Sequence, residues 1–201
     1  MKYKAIVFDY GGVIEIIKRG LTKNITKYLQ ISQEDWQKVY FSLNYLCNTG
    51  KKSYEEVFAL TAKELGASDD QISHVLKLQK DNRKERQINL KLIEIIKDLK
   101  NKNYKIGLLS NNYIKLRQEL IDLKLIDLFD AVVISSEVNY QKPQPEIFEI
   151  LFSQLSVKKN EVIFIDDAKQ SLIGAESIGY APILFKDVED LKIKLKDLNV
   201  L

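Results

Sequence analysis

Tyr3-Lys4-Ala5-Ile6-Val7-Phe8-Asp9-Tyr10-Gly11-Gly12 is an apolar run that ends on a carboxylate and a pair of glycines. The run is short and rich in Ile and Val, which predicts a strand over residues 3–9 buried on both faces, and Gly11-Gly12 lets the chain turn sharply after it. Three later segments also place polar side chains at the end of a short stretch. They are Ile106-Gly107-Leu108-Leu109-Ser110-Asn111, Tyr140-Gln141-Lys142-Pro143 and Val162-Ile163-Phe164-Ile165-Asp166-Asp167. The first and last of these also read as buried strands, and open α/β sheets bind ligands at the carboxyl ends of such strands. Carboxylates, a hydroxyl and an ammonium therefore converge on one crevice, as phosphoryl transfer through an aspartate with a divalent cation requires.

Periodicity fills in the rest. After Val13-Ile14, residues 21–87 carry helical spacing only, with a full capping box at Ser53-Tyr54-Glu55-Glu56 and a weaker one at Ser32-Gln33-Glu34-Asp35. From residue 88 onward helix and strand alternate. Strands are expected at 105–109, 131–134, 161–165 and 181–185, and helices at 88–100, 113–123, 146–155, 168–178 and 188–198. That alternation predicts an α/β fold with a doubly wound parallel sheet. Residues 1–16 and 88–201 form the core, and residues 17–87 form an all-helical cap inserted over the carboxyl edge of the sheet.

Composition narrows the function classes. The 201 residues are 45% hydrophobic and 29% charged, which suits a packed core. A net charge of +3, from 31 Lys and Arg against 28 Asp and Glu, is interspersed along the chain and leaves no basic block for nucleic acid. Cys47, the single cysteine, permits no intrachain disulfide and no cysteine metal cluster, and reads as a small buried hydrophobe on a helix. No apolar run reaches the roughly 20 residues needed to span a bilayer. No signal peptide precedes the first strand, so a cytoplasmic location and no membrane association are expected.

Asp166 and Asp167 are adjacent acids that repel unless a positive charge lies beside them, and with Asp9 they supply the oxygen ligands that Mg²⁺ prefers. At these residues the chain resembles a haloacid dehalogenase (HAD) superfamily hydrolase of the subgroup with a helical cap after the first strand. Phe8-Asp9-Tyr10-Gly11-Gly12-Val13, Leu109-Ser110-Asn111, Lys142-Pro143 and Phe164-Ile165-Asp166-Asp167 with Gly174-Ala175 and Gly179 are similar to its four motifs, in order and in strand context. The resemblance implies that Asp9 is the nucleophile, forming an aspartyl-phosphate. It implies Mg²⁺ held by Asp9, Asp167 and the backbone carbonyl of Gly11, and phosphoryl oxygens held by Ser110, Asn111 and Lys142. Lys142 also serves catalysis by neutralising charge, and Asp166 ties down Lys142 or supports the metal from behind. The expected partner is a small phosphorylated substrate, with the protein a monomer or a dimer.

One departure matters. The family's phosphatases usually carry a second Asp two residues after the nucleophile to protonate the leaving group, and Gly11 stands there. Three readings follow. A phosphatase for a substrate with a good leaving group, such as a sugar phosphate, leads; a catalytically weak protein that binds a phospho-ligand or a protein comes second; a carbon-directed dehalogenase is third. The run Ala168-Lys169-Gln170-Ser171 also lacks the acid or amide often found in the last motif's first helical turn. Specificity is expected from the cap, where Glu15, Ile16 and Lys18 near the first hinge and Tyr45 and Asn48 near Cys47 are candidates. Trp36 and Phe41 read as cap core, and His74, the only histidine, as exposed and without a catalytic role.

Overall fold

The computed structural model of the protein describes residues 2–17 and 20–201, and five parallel strands form its centre. The chain opens with β1 (Ala5–Phe8) and the two-residue β2 (Glu15–Ile16). Five helices follow: α1 (Leu21–Leu29), α2 (Gln33–Leu43), α3 (Tyr45–Asn48), α4 (Tyr54–Glu64) and α5 (Asp69–Lys84). A second two-residue strand, β3 (Gln87–Ile88), returns antiparallel to β2. Then come α6 (Leu90–Asn101), β4 (Lys105–Ser110), α7 (Leu116–Asp122), β5 (Ala131–Ile134), α8 (Ser135–Val138) and α9 (Pro145–Leu155). β6 (Val162–Asp166), α10 (Ala175–Ile178), β7 (Ala181–Leu184) and α11 (Val188–Asp197) complete it.

The main sheet runs β5-β4-β1-β6-β7, so the first strand is its middle and every neighbour is parallel. Alternate side chains of one strand enter different cores. Ile6 and Phe8 join Ile106, Leu108, Ile163 and Ile165 under α6, α7 and α11, while Ala5 and Val7 join Leu109, Val162 and Phe164 under α9 and α10. Burial on both faces is why these strands are unbroken hydrophobic runs. Gly107 sits where a Cβ would come within 3.0 Å of Val7 and 3.2 Å of Leu155, so its lack of a side chain lets α9 lie close on the sheet.

The helices between β2 and β3 carry a small core of their own. Ile25, Trp36, Phe58, Ala62 and Val75 are buried together, and Ser53 and Ser68 both close complete capping boxes, at α4 and α5. Trp36 is core as expected, but Phe41, also expected in the cap core, is 66% exposed, because it falls off the Trp36, Tyr40 and Leu43 spacing of α2. His74 is partly covered, stacked on Tyr28 with ring centroids 3.9 Å apart. Cys47 is buried with Val57 and with Tyr113 from the core, so this cluster joins the two helical and α/β parts.

Most elements lie within two residues of the sequence expectation, with two differences. The helix expected at 113–123 begins only at Leu116, because Tyr113 is used in the contact with Cys47. The helix expected at 168–178 is instead a short 3₁₀ turn, Lys169–Leu172, and then α10, broken at Gly174 with φ +85°. Continuous apolar spacing hid the break, and Gly174 in the left-handed region was its only sign. Among the described residues no helix is long and apolar enough to cross a membrane.

Candidate active site

Asp9 follows β1 directly, and its N–H still donates to Ile165 O at 2.9 Å, which keeps the residue in register with β6 as the side chain leaves the sheet. The chain then folds back on itself: the N–H groups of Ile14 and Glu15 both donate to Tyr10 O, at 2.9 and 2.8 Å. Ser110 ends β4, Asp166 ends β6, and both are fully buried. Because β1, β4 and β6 are adjacent and parallel, their carboxyl ends deliver these side chains to one place.

Lys142 reaches the same point from the loop before α9, with a cis Lys142–Pro143 peptide. Its ammonium is buried and fully engaged, 2.6 Å from Asp166 Oδ2, 2.9 Å from Asp9 Oδ1 and 3.1 Å from Leu109 O. Asn111 fixes that loop: its Oδ1 accepts from Lys142 N at 2.7 Å, and its Nδ2 donates to Lys142 O at 3.0 Å. Its side-chain amide is thus engaged by the lysine backbone.

The electrostatics call for a cation. Burial raises the Asp9 pKa to about 6, against the pull of Lys142 and with repulsion from Asp166 adding to it. Burial alone would lower the Lys142 ammonium, but Asp9 and Asp166 outweigh it and the net shift is upward. Burial, and then Asp166, also raises Asp167. Asp9, Asp166 and Asp167 bring carboxylate oxygens within 4.8 Å of one another, and one ammonium among three carboxylates leaves two negative charges. Lys142 contacts Asp9 Oδ1 as an ion pair without an aligned hydrogen bond, and this buried oxygen has no other donor. A divalent hard cation fits that charge deficit. Asp166 already holds Lys142 and accepts from the Ala168 N–H at 2.8 Å, so Asp9 and the more exposed Asp167 are the acids with oxygens to offer.

Gly12 makes room for Asp167. At φ +80° it lies in the left-handed region, and a Cβ there would fall on the Asp167 carboxylate. Gly12→Ala is accordingly expected to weaken Mg²⁺ binding about 10- to 100-fold while the fold survives, as read by metal titration beside circular dichroism.

Above the strand ends lies a cavity of about 230 Å³. Asp9, Gly11, Ser110 and Asn111 form its floor, and Glu15, Asn48, Cys47, Tyr40, Tyr54, Arg83 and Arg86 form its walls. Of the specificity candidates, Glu15 and Asn48 therefore line the cavity, and the Asn48 side-chain amide donates to Gln141 Oε1 at 3.0 Å. Ile16 is 49% exposed and borders a separate open cleft together with Gly12 and Asp167; Tyr45 is 45% exposed and lines neither. Lys18 lies outside the described residues. Arg83 and Arg86 were missed. They close a polar helix end that reads as a solvated surface, and only the buried Glu15 could have hinted at a partner.

Residues 11–184 match the family model described as haloacid dehalogenase-like hydrolase. The chain is 30% identical to the pig (Sus scrofa) bifunctional epoxide hydrolase 2 over 111 residues, 52% of this chain but 20% of that protein. It is 35% identical over 89 residues to a glyceraldehyde 3-phosphate phosphatase of Methanothermobacter thermautotrophicus, 43% of this chain and 39% of that one. The chain thus spans well under half the length of these curated relatives. Among solved structures, a HAD family enzyme from Bacteroides thetaiotaomicron in complex with magnesium and inorganic phosphate superposes with a TM-score of 0.65 at 22% identity, over 94% of this chain and 98% of that one. At that identity the likeness establishes the shared fold.

Proposed function

The chain belongs to the haloacid dehalogenase-like hydrolases, and within that family we propose that it is a Mg²⁺-dependent phosphatase for a small phosphorylated metabolite, with Asp9 as nucleophile. The observation that carries this reading is the buried group at the strand ends. One lysine is clamped between Asp9 and Asp166, with Asp167 alongside and two negative charges left over. The phosphatase among the relatives and the magnesium and phosphate in the structural neighbour support it.

Each residue has a defined task. An Asp9 oxygen attacks phosphorus, a P–O bond to Asp9 forms, and the bond to the leaving oxygen breaks with its electron pair departing on that oxygen. Lys142 neutralises charge on Asp9 and on the phosphoryl group, while Asp166 keeps the ammonium in place. Ser110 Oγ and the Asn111 N–H hold phosphoryl oxygens. A Mg²⁺ held by Asp9, Asp167 and the Gly11 carbonyl would supply further charge neutralisation. Water then attacks phosphorus of the aspartyl-phosphate, the Asp9 O–P bond breaks with its electron pair returning to the carboxylate, and the water's oxygen leaves on inorganic phosphate, its proton passing to phosphate or solvent. Residues 17–87 act as a cap that closes the cavity against bulk water.

Gly11 decides which substrates suit this site. It offers no acid, so the leaving oxygen must depart without protonation by residue 11, which favours acyl phosphates and sugar 1-phosphates. The same feature supports the second reading, a weak hydrolase that mainly binds phospho-ligands. Gly11 lies outside the left-handed region and its nearest neighbour to an added Cβ is Ile17 at 3.7 Å, so the position accepts a side chain. In phosphate-release assays with Mg²⁺, Gly11→Asp is expected to raise turnover of alkyl phosphates by about 10²-fold and to change acetyl phosphate little. The phosphatase reading fails if a broad panel, including acetyl phosphate, gives no Mg²⁺-dependent release above background.

A further inference from the structure

The wall opposite the phosphate floor consists of paired charges. Arg83 is bound to Glu119, whose carboxylate also receives the Tyr113 hydroxyl, and the guanidinium lies 4.4 Å from the Tyr113 ring centroid. Arg86 contacts Glu15, its Nη1 lying 3.2 Å from each carboxylate oxygen. Arg86 is thus paired with Glu15 within the wall, and Arg83 is paired from behind it with Glu119, which lies outside the cavity lining, so neither guanidinium is an uncompensated cation. Resting on the phosphatase reading, we infer that Arg86 and Glu15 determine specificity by reading adjacent hydroxyl groups on the leaving group, so that the substrate is the phosphate ester of a short sugar or polyol.

The alternative chemistry is a second anion, as in a diphosphate or a phospho-carboxylic acid. Such a group would have to share a guanidinium with a carboxylate already bound to it, in a half-buried setting where like-charge repulsion is strong. A hydroxyl meets no such conflict, because it can accept from a guanidinium and donate to a carboxylate at once. Arg86 engages Glu15 through one nitrogen, and its Nε and Nη2 have no partner among the described residues. Glu15 is 7% exposed at its side chain and is held in the adjoining strand pair, β2 with β3, so the acceptor is fixed in position. Asn48 and the phenols of Tyr40 and Tyr54 add neutral polar groups to the same enclosure. The volume also limits the tail: 230 Å³ equals about eight waters at ~30 Å³ each, room for a phosphoryl group and a tail of about three to six carbons.

The test compares ribose 5-phosphate, 2-phosphoglycolate and ethyl phosphate, whose tails carry hydroxyls, a second anion and neither. With the full chain and Mg²⁺, kcat/KM is expected to be highest for ribose 5-phosphate. The ratio of its kcat/KM to that of ethyl phosphate should fall about 10- to 100-fold in Arg86→Gln. Arg86→Lys keeps the charge opposite Glu15 but loses the planar nitrogens, so the ratio should fall there too while the melting temperature holds. An unchanged ratio in Arg86→Lys makes Arg86 a counter-charge only, and a preference for 2-phosphoglycolate gives the wall an anion; either overturns the inference. All three are alkyl esters, so should none be hydrolysed, the phosphatase reading is decided separately by acetyl phosphate, and calorimetric titration of ribose 5-phosphate decides this one. Weaker binding to Arg86→Lys than to the parent protein sustains it, and equal binding overturns it.

Discussion

Asp9→Asn is expected to lower Mg²⁺-dependent phosphate release by about 10⁴-fold or more, because the substitution removes the attacking oxygen and leaves its surroundings intact. The same change should stabilise the metal-free protein. The raised pKa of Asp9, about 6, means that the folded state holds its proton more tightly than the unfolded chain does, even with Lys142 2.9 Å away. For an acid whose folded pKa is raised, stability declines as pH climbs from the unfolded value of 3.8 to the folded value near 6, and stays lower above it. Asparagine carries no such charge, so thermal unfolding in EDTA at pH 7.5 should shift upward by several degrees. Protons and cation compete for the same oxygen, and in the parent protein Mg²⁺ affinity should weaken as pH falls below about 6. In Asp9→Asn the stabilisation by Mg²⁺ should be smaller and its pH dependence flatter. A variant that keeps activity, or one that melts lower without metal, would contradict this account of residue 9.

Much of this centre was visible in the sequence, for a physical reason. A parallel strand covered on both faces must be apolar throughout, so a carboxylate or hydroxyl at its end stands out, as Asp9, Ser110 and Asp166 do. Lys142 became visible because two nearby prolines framed it, although nothing in its own surroundings marked it as buried. The cavity walls were less legible. Arg83 and Arg86 lie in Lys80-Asp81-Asn82-Arg83-Lys84-Glu85-Arg86, where every residue suits solvent, and only the fold shows which side faces Glu15 and Glu119. Helical periodicity reports a face turned to its own helical neighbours, not one turned to a cavity shared with another part of the chain. Trp36 lies on the α2 face shared with Tyr40 and Leu43 and is buried, whereas Phe41 lies off that spacing and is exposed. Asn111 shows a different limit: its place beside Ser110 was legible, but its hydrogen bonds to Lys142 join residues 31 positions apart.

Lys142→Met should cost more stability than any other single change at the site. Methionine fills a similar volume, so the loss is electrostatic rather than a cavity. Asp9 and Asp166 would remain side by side with no cation between them, and Leu109 O would lose its donor. Removing one partner from a buried ion pair costs about 3–5 kcal/mol, which in a chain of this size lowers the melting temperature by about 6–20 °C. Activity should fall at least about 10³-fold, since the positive charge serves both the nucleophile and the phosphoryl group. Asp166→Asn added to Lys142→Met separates the two effects. The double variant removes the fully buried charge that has lost its cation, while the asparagine side-chain oxygen at position 166 still accepts from the Ala168 N–H, so melting temperature should recover in part. Activity should not recover, because Asp166 holds the lysine in position and Lys142 itself acts on the phosphate. If activity returned with stability, Lys142 would be a structural counter-ion, and Asp9 would need another source of charge neutralisation.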